Sequence, residues 1–269
     1  MKLVLVCGGG GAKALACAGA WRAIAEAGHQ VVQLVGTSLG AVVAAAFAAG
    51  VSPDWLASQI ASVSRKDIAR VSPFNLVRGV FAPSLLTAQP LKDTIARLVP
   101  ATRFADLKIP LTVTATDLDS GELVLFGALG QDAPLVEVLY ASCALPVYYP
   151  PAELAGRRLV DGGLRAVLPI YAGRRVPADA VLAVHSGPGF DEVQRGNRPA
   201  PIPPLIRAHG EAERVMMAAQ TERDVAAWPE GGPKLIVVRP VAEKEATFAL
   251  SEIPRFIASG YEATKRALA

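Results

Sequence analysis

Histidine, cysteine and charge are all scarce in this chain, and each scarcity closes off a class of function. The 269 residues hold three histidines and three cysteines. Cys7, Cys17 and Cys143 sit in apolar or small-residue segments, with no framework spacing. An odd number in such settings excludes a disulfide scaffold and fits reduced, buried thiols of a cytosolic protein. Charged residues make up 19% of the chain and leave a net charge of +3 with no long basic run, so no nucleic-acid partner is expected. Long apolar runs are missing as well. The nearest, Ala41 to Val51, is about half the roughly 18 residues that a membrane span needs, and its alanine content marks a core helix. Met1-Lys2 and the apolar residues after it run straight into glycines, too short a stretch for a secretory leader. The expectation is a cytoplasmic protein whose contact with a membrane, where it occurs, is peripheral. No metal and no cofactor are expected.

What the chain has is apolar residue content, 52% of the total, and enough length for one large, well-cored domain over residues 1–269. Strand-like runs lie near 2–7, 31–35, 110–117, 122–127, 157–160, 180–185 and 234–239. Helical patterns cover Ala14 to Ala27, Ser38 to Gly50, a segment opened by Ser52-Pro53-Asp54, and residues 89–99, 134–144, 204–228 and 252–268. Alternation of this kind predicts a three-layer α/β/α fold on a mainly parallel central sheet. Asp119-Ser120-Gly121 joins two of the runs as an antiparallel hairpin. Two stretches break the pattern. Residues 64–88 mix basic side chains with apolar ones from Phe74 to Leu86 and read as a cap or lid, or as a peripheral membrane contact. Residues 186–204, rich in glycine and proline, read as a mobile surface loop.

Two glycine motifs follow the first two strands. Gly8-Gly9-Gly10-Gly11-Ala12-Lys13 offers free backbone N–H groups at a helix start, where an anion or oxyanion can be held. Gly36-Thr37-Ser38-Leu39-Gly40 is a G-x-S-x-G strand–turn–helix, the form of a nucleophile elbow. Together they point to acyl transfer. Other readings fit less well. Gly9-x-Gly11-x-x-Ala14 matches a dinucleotide fingerprint, but the next strand ends in Val35-Gly36-Thr37-Ser38 with no carboxylate for the ribose. A phosphate-binding P-loop needs glycine before Lys13 and serine or threonine after it, and the chain has Ala12 and Ala14. Nor is this an ordinary α/β-hydrolase, whose elbow follows several strands, because one strand alone precedes the strand leading into Ser38.

A third motif, Asp161-Gly162-Gly163, ends the strand at Leu159-Val160. Alone it is a turn. In the order G-G-G-x-K, G-x-S-x-G, D-G-G the set resembles the patatin-like phospholipases, serine lipid acyl hydrolases that use a Ser–Asp dyad. Ala115 to Gly121 and Ala141-Ser142-Cys143-Ala144-Leu145-Pro146 through Pro150-Pro151 add to the resemblance, which covers about residues 2–170.

The resemblance implies roles. Ser38 is then the nucleophile and Asp161 its base. Gly10 and Gly11 present the oxyanion-hole N–H groups, Gly9 completes the turn and Lys13 orients the loop. It further implies hydrolysis of fatty acyl esters, of the phospholipase A, lysophospholipase or esterase type, through an acyl-enzyme. The alternatives are an acyltransferase on the same dyad and a regulatory protein that keeps the fold without catalysis. The substrate expected is a lipid or another acyl ester. Two positions depart from the family: Ala14 stands where glycine is usual, and Arg165-Ala166-Val167-Leu168-Pro169 lacks the asparagine that often precedes Leu-Pro. Ser38, Asp161 and His209 also run in the order of a hydrolase triad. Against that, His209 lies in a polar helical stretch, His29 in a turn and His185 at a strand end.

Overall fold

The computed structural model describes residues 1–71, 82, 84–193, 203–244 and 249–269. Strand β1 (Lys2–Cys7) shows why the chain layers as it does. Its side chains alternate between faces: Leu3, Leu5 and Cys7 enter one apolar core, Val4 and Val6 another. A strand buried on both faces reads as an unbroken apolar run, and that is what Leu3 to Cys7 is.

After β1 the chain makes a 3-10 turn at Gly11–Leu15 and enters α1 (Ala16–Glu26). Strand β2 (Gln30–Gly36) follows, then α2 (Leu39–Ala48) and α3 (Pro53–Ala61). Ser52 caps α3, its Oγ accepting from the Trp55 N–H at 3.2 Å. The segment expected to be a cap, residues 64–88, holds the short α4 (Arg65–Ile68) and runs into the longer α5 (Ala88–Leu98). Most of its apolar stretch, residues 72–81 and 83, lies outside the described residues. The ends that are described fold back: Val71 bridges Leu86, and the N–H groups of Leu85 and Leu86 donate to the carbonyls of Val147 and Tyr148.

Strands β3 (Leu111–Asp117) and β4 (Leu123–Gly127) form the expected hairpin. Then come α6 (Leu135–Cys143), β5 (Ala152–Leu154), β6 (Arg157–Asp161), and the short helices α7 (Gly163–Ala166) and α8 (Ile170–Arg174). The last third holds β7 (Ala180–Val184), α9 (Pro204–Ala226), β8 (Lys234–Val238) and α10 (Ile253–Leu268). Residues 194–202 of the loop expected at 186–204 lie outside the described residues; of the rest, Ser186 and Glu192 are buried.

One sheet runs in the order β5-β6-β3-β2-β1-β7-β8, with β4 also on β3. The five strands β3, β2, β1, β7 and β8 are parallel, and β4, β5 and β6 are antiparallel additions. Residues of α1, α2, α5, α6 and α10 fill the core on one face; α8 and part of α9 cover the other. This is a mixed α/β fold with a central sheet between helices.

One irregularity of the sheet places the site. Val113 pairs with Phe126 of β4 and with Gly36 of β2, while Ala115 pairs with Val124 of β4 and with Asp161 of β6. Strand β4 therefore holds one edge of β3 alone. Strands β2 and β6 share the other edge and run toward each other along it. Their C-terminal ends meet across Thr114, so Gly36-Thr37-Ser38 and Asp161-Gly162-Gly163 converge on one point.

Candidate active site

The junction is built from polar side chains in an otherwise apolar layer. Thr37 Oγ1 and Thr114 Oγ1 are 2.6 Å apart, and the Thr37 hydroxyl also lies 2.9 Å from the Ala166 carbonyl. Thr116 Oγ1 donates to the carbonyl of Asp161 at 2.9 Å. All three threonines are buried, and these bonds satisfy groups whose burial unpaired would cost about 1–3 kcal/mol each.

On this frame the turn after β2 holds Ser38 at φ 55°, ψ −137°, a conformation strained for a residue with a side chain. The strain is held by packing: α2 starts so close to the end of β1 that a β-carbon on Gly40 would collide with the carbonyls of Cys7 and Gly8. The Ser38 N–H donates to Ser142 Oγ at 2.8 Å, which fixes the turn from α6.

The Ser38 hydroxyl donates to Asp161 Oδ2 at 2.7 Å. The other carboxylate oxygen, Oδ1, accepts from the Gly163 N–H at 2.7 Å. Asp161 is buried and, among the described residues, has no cation against it, so burial pushes its pKa up to about 7. The bonds from Gly163 and Ser38 pull the other way, and the nearby carboxylate of Glu213 adds to the rise. Glu213 is itself buried on α9, with a pKa raised by that burial. Four residues on, Met217 packs over Gly163, so this face of α9 roofs the aspartate turn. Cys143 also borders the pair, its thiol pKa raised by burial and by the Asp161 charge.

The glycine loop lies beside the serine. A β-carbon on Gly9 would sit 3.3 Å from Ser38 Cβ. The N–H groups of Gly8 and Gly9 are committed to the carbonyls of Val184 and Val167. Gly10 and Gly11 are partly exposed, and among the described residues neither N–H has a hydrogen-bond partner. Gly10 adopts φ 150° and is pressed against Ser186, where a side chain would strike the backbone. Lys13 is bonded elsewhere than to Ser38. Its Nζ is buried, 2.7 Å from Glu192 Oε1 and 2.8 Å from the Glu243 carbonyl, and burial lowers its pKa. Ala14 is fully buried in the 3-10 turn.

No histidine touches Ser38 or Asp161 among the described residues. His29 lies in the turn before β2, near the chain's first nitrogen. His185 follows the last residue of β7, buried enough to bring its pKa down to about 3. His209 sits on α9, with Nε2 3.2 Å from Glu213 Oε1. Among the described residues there is also no cluster of His, Cys, Asp and Glu that could hold a metal ion, and no helix long and apolar enough to cross a membrane.

The structure thus brings together Ser38, Asp161 and Gly9, with Gly10 and Gly11 next along the loop, and ties Lys13 to Glu192 and the Glu243 carbonyl. Sequence reasoning assigned no role to Ser142, Thr37, Thr114, Thr116, Glu213 or Glu192. Ser142 had a signal, since it lies in the Ala-Ser-Cys-Ala-Leu-Pro stretch. So did Thr37, inside the G-x-S-x-G motif, and Thr116, in the Ala115 to Gly121 stretch; Thr114, Glu213 and Glu192 stand in segments whose local pattern says only strand, helix or loop.

Comparison with known proteins supplies the relatives. The sequence model of the family described as patatin-like phospholipase matches residues 5–173. An uncharacterised NTE-family protein of Mycobacterium bovis is 34% identical over 195 residues, 71% of this chain and 52% of that protein. The human omega-hydroxyceramide transacylase is 31% identical over 139 residues, 51% of this chain and 25% of that protein. The chain thus spans about half the length of the mycobacterial relative. Among solved structures, the type III effector protein ExoU superposes with a TM-score of 0.50 at 17% identity, covering 99% of this chain and 52% of that one; at that identity the likeness concerns the fold.

Proposed function

The chain belongs to the patatin-like phospholipase family, and from its site we propose that it is a serine hydrolase of lipid acyl esters working through a Ser38–Asp161 dyad. The observation that carries the reading is the 2.7 Å hydrogen bond from Ser38 Oγ, on a strained elbow beside the glycine loop, to a buried carboxylate that no cation among the described residues neutralises. A carboxylate with a pKa near 4 is a poor base for a hydroxyl, whereas one near the working pH is well matched to proton transfer. Burial moves Asp161 toward that match.

In the proposed cycle Ser38 Oγ attacks the ester carbonyl while its proton passes to Asp161 Oδ2. The negative charge that develops on the carbonyl oxygen is met by the Gly10 and Gly11 N–H groups; one such donor is worth about 3–4 kcal/mol in the transition state. Collapse breaks the ester C–O bond, and Asp161 returns the proton to the departing alcohol. A water molecule, deprotonated by the same carboxylate, then attacks the acyl-serine carbonyl; the C–Oγ bond breaks, Asp161 returns the proton to Ser38 Oγ, and the fatty acid is released. An acceptor alcohol in place of water makes the same site an acyltransferase. The similarity to a transacylase gives that second reading its support.

A fluorophosphonate probe is expected to label Ser38, and Ser38→Ala to lose both labelling and esterase activity while staying folded. Turnover in the alanine variant equal to wild type would rule the reading out. The basic and apolar mixture at 64–88 further predicts weak binding to anionic vesicles that salt reduces. Flotation showing no association at low salt would leave that segment as a cap.

A further inference from the structure

The residue that holds the glycine loop lies beyond the family match. Lys13 is part of the 3-10 turn that continues Gly10 and Gly11, and its ammonium is anchored by two acceptors, Glu192 Oε1 and the Glu243 carbonyl. Both come from the chain after residue 173, where the match ends. Glu192 has no exposed side-chain surface. One of its oxygens takes Lys13, the other pairs with Arg214 of α9, and Arg239 Nη2 lies 3.9 Å from Oε1. The remaining groups tie the same point to the rest of the C-terminal third. Arg239 donates to Asp191 and to the Gly187 carbonyl, next to the Ser186 backbone against which Gly10 rests. Arg255 of α10 forms a two-pronged pair with the Glu243 carboxylate.

We propose that Glu192 is a positioning residue for the oxyanion loop, a central carboxylate through which the C-terminal third of the chain sets where the Gly10 and Gly11 N–H groups point. This rests on the reading of those groups as the oxyanion hole. The reason to expect a catalytic consequence is geometric. Oxyanion donors work only at hydrogen-bond distance from a charge that exists in the transition state, and a misplacement of about 1 Å can cost about a hundredfold in rate. The loop has glycine at its turning points, so it does not hold its own shape; Lys13 is its one long side chain, and Glu192 is what that side chain reaches.

The test compares wild type, Glu192→Gln and Glu192→Asp by hydrogen exchange and by hydrolysis of a p-nitrophenyl acyl ester. In Glu192→Gln the hydrogen-bonded amides of residues 9–16 are expected to gain at least about tenfold more in exchange rate than those of β1, whose change follows the loss of global stability. Turnover is expected to fall about 10- to 100-fold in kcat with KM within about twofold, because the lost interaction belongs to the transition state. Glu192→Asp, which keeps the charge, is expected to recover part of the loss. If Glu192→Gln does not fold, the double variant Lys13→Met with Glu192→Gln removes both members of the pair and is expected to show the same loop exchange and the same split. Exchange over residues 9–16 that rises no more than that of β1, or a kcat equal to wild type, would overturn the proposal. Failure of the function reading is seen separately. If wild type shows no turnover that Ser38→Ala abolishes, the catalytic half fails with it, and the exchange still decides whether Glu192 holds the loop.

Discussion

Two buried carboxylates stand near the glycine loop in opposite surroundings. Asp161, bonded to Ser38, meets a hydroxyl and a backbone N–H and, among the described residues, no cation. Glu192 meets Lys13 and Arg214 directly and Arg239 at longer range. Both are shut away from water, so burial alone does not separate them. What separates them is company. A buried carboxylate without a cation is unstable as a charge and gains by taking a proton, the property a base needs. A buried carboxylate between cations has its charge committed to pairing and can serve only to hold other groups in place. The same side-chain chemistry is thus fitted to reaction at one of the two and to support at the other.

The largest effect that would break this comparison is on turnover. Asp161→Asn keeps size and shape but cannot take the serine proton, and a loss of at least about a thousandfold in kcat is expected, read with the same acyl ester. A loss of less than tenfold would make Asp161 another supporting carboxylate.

The next two effects concern stability and have opposite signs. Glu192→Gln leaves Lys13 and Arg214 without their counter-charge and is expected to cost about 3–5 kcal/mol in urea unfolding. Asp161→Asn should stabilise. The pKa of Asp161 is raised in the folded protein, so between about pH 4 and pH 7 the unfolded chain gives up its proton while the folded one keeps it. Stability therefore falls as pH rises through that window, and the full penalty stands above pH 7. Asparagine carries none of it, so a gain of about 2–4 kcal/mol is expected at pH 8, vanishing near pH 4. Equal signs for the two variants at pH 8 would erase the distinction drawn here.

Ser142→Ala is a smaller cut. It removes the acceptor of the Ser38 N–H and should lower kcat about tenfold at a cost of about 1–3 kcal/mol in stability. Smallest of all, replacement of His29, His185 or His209 by Gln should each cost less than about tenfold, since none touches the pair.

These contrasts also mark what the sequence can disclose. Strand β1 was legible because it is buried on both faces and apolar throughout from Leu3 to Cys7. The elbow was legible because it needs glycine at positions such as Gly40, where a side chain has no room. Motif order then brought Ser38 and Asp161 together without any view of the sheet. Strand β5 escaped notice, since Ala152–Leu154 is too short to show alternation. So did the head-to-head meeting of β2 and β6, which depends on registers set more than a hundred residues apart. Glu192 was invisible for a further reason. It lies in a glycine- and proline-rich stretch that reads as surface loop, and its partners Lys13, Arg214 and Arg239 are scattered along the chain. Charge pairing across such distances leaves no local pattern.

The central claim is that a carboxylate, not a histidine, takes the proton from Ser38, and the pH dependence of kcat/KM tests it most directly. The account predicts activity that rises with pH on a single acidic limb with its midpoint near 7, where the buried Asp161 loses its proton, and the same limb in the Gln variants of His29, His185 and His209. A limb that disappears or moves by more than about one unit in any one of those histidine variants, with the fold intact, would contradict it.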